Sequence, residues 1–122
     1  MAEYGCVLVV DDEFLIAELL STMLRDMGLD VCGTAATADE AVALAVAHSP
    51  RLVLMDIRLK GQKDGIEAAV AIRRETGAPV IFVTGSGEAA TLARLERDHP
   101  APVLYKPVRF DQLRKAVLHT LA

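Results

Sequence analysis

Four short apolar segments of the chain are each followed by polar residues that could take part in phosphate chemistry. These polar residues are Asp11 and Asp12, Asp56, Thr84 and Lys106. Carboxylates are ligands for hard divalent cations, whereas a hydroxyl and an ammonium can bind phosphoryl oxygens. An aspartate beside a bound cation can also attack phosphorus as a nucleophile. The residue types therefore indicate a site for a phosphoryl group and for Mg²⁺ or Mn²⁺.

The four apolar segments read as buried strands, and the segments between them have helical periodicity. We therefore predict an α/β fold, a parallel sheet whose crossovers are helices. Because all strands of a parallel sheet point the same way, the residues that follow them meet at its carboxyl edge, where open α/β sheets bind ligands. The predicted strands cover residues 6–10, 29–33, 52–55, 80–83 and 103–105, and the predicted helices cover 13–27, 39–48, 66–76, 88–98 and 110–121.

Local signals mark several helix boundaries. Thr37 is a predicted N-cap, because its hydroxyl can accept a hydrogen bond from the first turn. Gly28 is a predicted C′ residue, since glycine adopts the left-handed conformation that ends many helices. The helix over 88–98 is rich in alanine, so its buried face is small and we expect it to be among the less firmly held elements.

Length and charge limit the class of protein. The 122 residues predict one domain over 1–122, and a net charge of −4 without a Lys/Arg cluster argues against direct nucleic-acid binding. No apolar segment approaches the roughly 18 residues that span a bilayer. The N-terminus has neither the basic region nor the long apolar region of a signal peptide. We therefore expect a cytoplasmic protein.

The cysteines and histidines are predicted to lie outside the site. We expect Cys6 and Cys32 to be small buried thiols; neighbouring strands would allow a disulfide, but a reducing cytosol disfavours one. His48, His99 and His119 share no metal-ligand spacing. We expect all three at the surface or at helix ends.

The adjacent carboxylates at Asp11 and Asp12 leave two interpretations open. Buried side by side they repel each other, and a dication bound by oxygen ligands removes that penalty. Alternatively, they form a solvated turn or an N-cap, because the helix dipole favours an acid before a helix.

The chain resembles the receiver domain of two-component response regulators over essentially its whole length. The resemblance implies a flavodoxin-like (βα)5 three-layer sandwich with a parallel five-stranded sheet of order 2-1-3-4-5, whose switch point lies between strands 1 and 3. It also implies a sensor histidine kinase or a histidine phosphotransfer protein as partner. The matching segments are residues 7–13, 54–59, 64–65, 83–85 and 106–107.

On the cation side, the resemblance implies that Asp12, Asp56 and the backbone carbonyl of Arg58 are ligands of Mg²⁺ or Mn²⁺. Asp11 would be a second carboxylate ligand or would act through a metal-bound water.

On the phosphoryl side, the resemblance implies that Asp56 is the phosphoacceptor. Lys106 would pair with the phosphoryl group, and Thr84 would move toward it once it is bound. The Lys106-Pro107 bond is commonly cis in the family, which an X-Pro bond allows at modest cost.

The chain departs from the family pattern at an aromatic residue that often reports phosphorylation. The usual position, three residues before the lysine, holds Val103, and the aromatic residue is Tyr105. Thr84 and Tyr105 are therefore the candidate switch residues. Residues 82–87 resemble a subfamily marked by Phe-x-Thr-Gly, in which the switch aromatic is often missing. We hypothesise that the signal leaves through residues 85–87 and the helix after them, by ordering rather than by ring rotation.

The leading interpretation is a stand-alone receiver that acts through protein contacts, as a monomer or a phosphorylation-dependent dimer. Its predicted docking surface comprises the helix after Gly87, the fifth strand and the final helix. A small Mg²⁺-dependent phosphatase or phosphotransferase with Asp56 as nucleophile is the rival, but such an enzyme needs a second acid two residues later, where Arg58 stands. A flavodoxin-like cofactor binder is also disfavoured, because Asp11 and Asp12 would repel the anion.

Overall fold

The computed structural model describes residues 5–85, 93–94, 97 and 101–122. The predicted helix over 88–98 lies largely outside these ranges, although Ala93, Arg94 and Arg97 are helical. No helix in the described ranges is long and apolar enough to cross a membrane. The elements are β1 (Val7–Val10), α1 (Phe14–Asp26), β2 (Val31–Ala35), α2 (Ala38–His48), β3 (Leu52–Met55), α3 (Gly65–Thr76), β4 (Val80–Thr84), β5 (Val103–Tyr105) and α4 (Phe110–Leu121).

The five strands form one parallel sheet in the order β2-β1-β3-β4-β5, so the predicted α/β fold is confirmed. β1 and the central strand β3 pair in register, from Val7 with Leu52 to Val10 with Met55. Asp56, the residue after β3, extends this pairing, since its backbone N–H donates to the carbonyl of Val10 at 2.9 Å. The residues that follow β1 and β3 therefore lie side by side.

Alternate strand residues face opposite helix layers, because successive side chains of a strand point to opposite faces of the sheet. One face packs against α2 and α3, and the other packs against α1 and α4. The molecule is therefore the predicted three-layer sandwich. Buried strand residues of the first face include Leu8, Val10, Val53, Met55 and Phe82, and those of the second include Val7, Val9, Leu52, Leu54 and Ile81.

The end of α1 shifts the second strand from its predicted position. Gly28 has φ of 85° and donates its N–H to the carbonyl of Arg25 at 2.9 Å. Leu29 donates to the carbonyl of Leu24 at 3.0 Å, which completes the two-bond closure of a left-handed helix end. The prediction for Gly28 is confirmed, but Leu29 belongs to this closure, so β2 begins at Val31.

The loops after β2 and β3 are joined by backbone pairing. Thr37 caps α2 as predicted, since its hydroxyl oxygen accepts a hydrogen bond from the N–H of Glu40 at 3.1 Å. The N–H of Lys60 donates to the carbonyl of Ala36 at 3.1 Å. The loop between β3 and α3 is therefore anchored to its neighbour midway along its length.

Cys6 and Cys32 form a disulfide, so the prediction of two buried free thiols is wrong. Cys6 directly precedes β1 and Cys32 lies in the adjacent β2, with their Cα atoms 5.2 Å apart, a separation typical of disulfides. Both residues are half-buried rather than buried. The prediction relied on the redox state of an assumed compartment, whereas the strand pairing decides whether the two sulfur atoms can meet.

Replacing Cys32 with serine should lower the free energy of unfolding by about 3 kcal/mol without reductant, because a crosslink across 26 residues restricts the unfolded chain. Urea unfolding of the wild type and Cys32→Ser, with and without a thiol reductant, measures this difference. With reductant the two proteins should unfold within about 1 kcal/mol of each other. A difference that reductant leaves unchanged would show that side-chain packing, not the crosslink, supplies the stability.

Candidate metal and phosphoryl site

The carboxyl edge of the sheet brings together three of the residues predicted to bind a cation. One carboxylate oxygen from each of Asp11, Asp12 and Asp56 lies within 4.8 Å of the other two. Asp11 and Asp56 are only 3% and 4% exposed, and Asp12 is half-buried. The in-register pairing of β1 with β3 causes this convergence, because it fixes the backbones of Asp11 and Asp56 next to each other.

The ammonium of Lys106 lies between two of these carboxylates. Its Nζ is 2.7 Å from Oδ2 of Asp11 and donates a hydrogen bond to Oδ2 of Asp56 at 2.9 Å. The contact with Asp11 is an ion pair without hydrogen-bond alignment, so among the described residues this buried Oδ2 has no hydrogen-bond partner. The other Asp11 oxygen accepts from the N–H of Glu13 at 2.9 Å.

Negative charge exceeds positive charge in this cluster, because three carboxylates meet one ammonium. Burial raises the pKa of Asp56; the hydrogen bond from Lys106 opposes that rise, and the charge of Asp11 adds to it. Burial alone would lower the pKa of Lys106, but its close contact with Asp11, its hydrogen bond to Asp56 and the charges of both carboxylates outweigh burial and raise that pKa above its ordinary value. The site therefore favours the protonated, positively charged form of Lys106, and this single positive charge does not neutralise the three carboxylates.

The donor set fits a hard divalent cation. All its candidate ligands are oxygen atoms, and the buried Oδ2 of Asp11 lacks an aligned hydrogen bond from the described part of the chain. Mg²⁺ prefers such oxygen ligands and usually takes one or two protein carboxylates. Asp11, Asp12 and Asp56 could hold such an ion, and the carbonyl of Arg58 remains a predicted fourth ligand.

The backbone after Asp56 is packed tightly against the start of α3. The N–H of Gly65 donates to the carbonyl of Ile57 at 2.7 Å. A Cβ at Gly65 would overlap the carbonyl oxygen of Asp56, so no other residue fits there without moving the backbone. The N–H of Arg58 donates a hydrogen bond to the carboxylate of Asp56. These contacts set the position of the predicted phosphoacceptor.

Thr84 and Lys106 are adjacent through the β4–β5 pairing. Thr84 is buried, and its carbonyl accepts the N–H of Lys106 at 3.0 Å. The Lys106-Pro107 peptide is cis, as the resemblance implied. A Cβ on Gly85 would come within 4.0 Å of Cδ of Lys106, so the chain after β4 runs beside the lysine side chain.

The two positions considered for an aromatic switch, 103 and 105, differ in burial. Val103 is half-buried and packs on the core that includes α2 and α3. Tyr105 pairs with Thr84 in the sheet and is 49% exposed. A switch role for Thr84 and Tyr105 stays a prediction, and of the proposed exit loop 85–87 only Gly85 lies within the described residues.

The histidines do not contribute to the cluster within the part of the chain that the structure describes. His48 and His119 are exposed in the last turns of α2 and α4, which confirms their predicted positions. His99 lies outside the described residues. Sequence reasoning missed a different contact, the ion pair between Asp64 and Arg94, whose Nη1 lies 2.9 Å from Oδ2 of Asp64. The two residues are 30 positions apart in the sequence, so no local sequence pattern predicts this ion pair.

Comparison with known proteins gives consistent matches. A family model described as the response regulator receiver domain matches residues 7–118. The transcriptional regulatory protein PdtaR of Mycobacterium tuberculosis is 35% identical over 111 residues, which cover 91% of this chain and 54% of PdtaR. The phyllosphere-induced regulator PhyR of Methylorubrum extorquens is 35% identical over 102 residues, which cover 83% of this chain and 38% of PhyR. The chain thus spans about half the length of PdtaR and less of PhyR.

A solved structure shows the same architecture. The signal receiver domain of a modulated diguanylate cyclase from Desulfovibrio desulfuricans G20 superposes with a TM-score of 0.90. It is 35% identical, and the match covers 96% of this chain and 93% of that one.

In the presence of a metal chelator, Asp56→Asn should raise the free energy of unfolding at pH 7. Burial raises the folded-state pKa of Asp56 above its ordinary 3.8, so ionisation costs the folded protein more than the unfolded chain. The stability that the protonated acid contributes below pH 3.8 is lost as the pH rises through the folded pKa. The gain from asparagine should therefore shrink toward pH 4.

Urea unfolding at pH 7 and pH 4 measures this gain, with Asp39→Asn as the matched control. The side chain of Asp39 is 85% exposed, so its replacement should change stability little at either pH. Equal gains for Asp56→Asn at both pH values would contradict the prediction.

Proposed function

Because the chain belongs to the response regulator receiver domain family, we propose that it accepts a phosphoryl group on Asp56 in two-component signalling. Receiver domains take this group from histidine kinases or histidine phosphotransfer proteins, and we propose such a donor here. One observation carries the assignment: the buried carboxylate of Asp56 is hydrogen-bonded to Lys106 and lies within 4.8 Å of Asp11 and Asp12.

The proposed reaction is a phosphoryl transfer between two side chains. A carboxylate oxygen of Asp56 attacks the phosphorus of a phosphohistidine, and the bond between phosphorus and the imidazole nitrogen breaks. The electron pair of that bond remains on the nitrogen, which takes up a proton from solvent. The product is an acyl phosphate on Asp56, and the donor histidine is regenerated.

Residues around Asp56 position and neutralise the transferred group. The ammonium of Lys106 already contacts Asp56 and would pair with a phosphoryl oxygen after transfer, while the hydroxyl of Thr84 would donate to another. Asp11, Asp12 and the carbonyl of Arg58 would hold the cation. When bound, Mg²⁺ or Mn²⁺ supplies charge neutralisation for the equatorial oxygens.

We propose that the chemistry of the chain is limited to gaining and losing this phosphoryl group. The rival phosphatase needs an acid two residues after the nucleophile, and that position is Arg58, which is exposed. We propose that the signal then passes through protein contacts in the cytoplasm. That one receiver domain extends over residues 1–122 stays a prediction.

Incubation with a small acyl phosphate and Mg²⁺ should add one phosphoryl group to the wild type and none to Asp56→Asn, because the amide cannot act as the nucleophile. Intact-mass spectrometry measures the gain, and Asp39→Asn is the matched control that should still react. The same mass gain in wild type and Asp56→Asn would overturn the assignment of Asp56.

Asp12→Ala should weaken Mg²⁺ binding by about tenfold or more, because it removes a proposed direct ligand. Glu13→Ala should weaken it by less than about twofold, since Glu13 is exposed and contacts Lys106 only at 3.6 Å. Isothermal titration calorimetry with magnesium chloride gives both dissociation constants. Equal losses would count against Asp12 as a ligand.

A further inference from the structure

Asp64 and Arg94 form a two-pronged ion pair between distant parts of the chain. Nη1 of Arg94 lies 2.9 Å from Oδ2 of Asp64, and Nη2 lies 3.4 Å from Oδ1. The two side chains are 36% and 31% exposed, so water screens the pair only in part. A bidentate arginine–carboxylate pair fixes direction as well as distance. The pair therefore restrains where Asp64 lies.

Asp64 is also the N-cap of α3, in a closed capping box. Its Oδ1 accepts the N–H of Glu67 at 2.9 Å, and its own N–H donates to Oε1 of Glu67 at 3.2 Å. The two reciprocal hydrogen bonds tie Asp64 to the first turn of α3. A displacement of Asp64 would therefore also displace the first turn of α3.

The first turn of α3 lies directly against the acid site. Gly65, the residue after Asp64, donates its N–H to the carbonyl of Ile57 at 2.7 Å, and there is no space for a Cβ between it and the carbonyl of Asp56. The intervening loop carries Arg58, a proposed cation ligand through its backbone carbonyl. Moving Asp64 therefore moves the backbone that orients Asp56 and Arg58.

We propose that Arg94 is a positioning residue for the metal and phosphoryl site, acting through Asp64. This inference rests on the proposed function. Through Asp64, this contact links Arg94 to the backbone of Asp56. The link does not require the aromatic switch residue that is missing at position 103. Because coupling between two sites is reciprocal, occupancy of the acid site also changes how firmly Arg94 is held.

For Arg94→Gln, an electrostatic effect and a positioning effect predict opposite changes in Mg²⁺ affinity. Arg94→Gln removes a positive charge, so an electrostatic effect alone would tighten Mg²⁺ binding. A positioning effect weakens it, because the loop around Arg58 becomes less well ordered for the ion. Asp64→Asn weakens binding in either case, but asparagine is as good an N-cap as aspartate, so α3 keeps its start.

The test is a double-mutant cycle on the full chain, with magnesium chloride alone as the probe. Arg94→Gln and Asp64→Asn should each raise the calorimetric dissociation constant about threefold to tenfold, and the double variant should match the single ones. Arg94→Lys, which keeps the charge but not the fork, should recover part of the loss. Lys63→Gln is the control: Lys63 lies beside Asp64 on the loop between β3 and α3, and its ion pair with Asp39 of α2 is exposed, so the substitution should change binding by less than about twofold.

A second readout needs no metal. The Gly65 amide should exchange with solvent about threefold to tenfold faster in metal-free Arg94→Gln and Asp64→Asn than in the wild type, since its bond to Ile57 is loosened. Tighter or unchanged Mg²⁺ binding in Arg94→Gln, or additive effects in the cycle, would overturn the proposal. If wild type shows no measurable Mg²⁺ binding, unchanged Gly65 exchange overturns it by itself.

The two proposals fail separately. A wild type that gains no phosphoryl group, while the cycle shows coupling, would refute the phosphoacceptor function and leave Arg94 as a positioning residue. A wild type that is phosphorylated on Asp56, with an additive cycle, would refute only the role of Arg94.

Discussion

The in-register pairing of β1 with β3 is the constraint on which the site depends. Four consecutive residue pairs, ending with Val10 and Met55, fix the backbones of Asp11 and Asp56 beside each other. Their two carboxylates repel each other, so the interaction between them opposes this arrangement. The buried apolar strands and the helices packed on them supply the free energy that holds the acids together. The site is thus a consequence of the core.

Lys106, which supplies the positive charge of this cluster, lies at the edge of the sheet rather than in its interior. Asp11 and Asp56 follow the interior strands β1 and β3, whereas Lys106 follows β5, a three-residue strand at the edge of the sheet. Its side chain extends past β4 to contact both acids. Rigid carboxylates therefore meet a cation on a long stem, which can exchange one oxygen partner for another without movement of the sheet. That division of roles suits the proposed phosphoryl transfer, in which the charge of the site would change.

The amount that the sequence could predict differs between elements for physical reasons. Dense apolar patterns gave the bounds of β3, β5 and α4 as the structure has them, and the parallel-sheet rule predicted that the acids would converge. The start of β2 was misplaced because Leu29, although apolar, closes the end of α1. The Cys6–Cys32 bond depends on which strands are neighbours and on their alignment. Periodicity along the chain cannot supply that alignment.

Contacts between residues far apart in sequence were beyond the same reasoning. Nothing in the chain near Asp64 points to Arg94, because both residue types are common on helix surfaces and at helix ends. The capping role of Asp64 has a local signal in Glu67, three residues later, but its second partner has none. The candidate site residues Asp11, Asp56 and Lys106 follow strand ends and can be found from sequence. Arg94, which we propose to hold such residues in place, is found only from coordinates.

Gly65 shows that sensitivity to substitution and chemical role are different properties. It contributes no side chain to the site, yet any larger residue there would displace the carbonyl of Asp56. In a saturation screen for signalling output, position 65 would tolerate as few residues as position 56. Such a screen would rank a residue without functional groups beside the proposed phosphoacceptor, because Asp56 would supply the reacting carboxylate and Gly65 leaves room for the backbone carbonyl of the same residue.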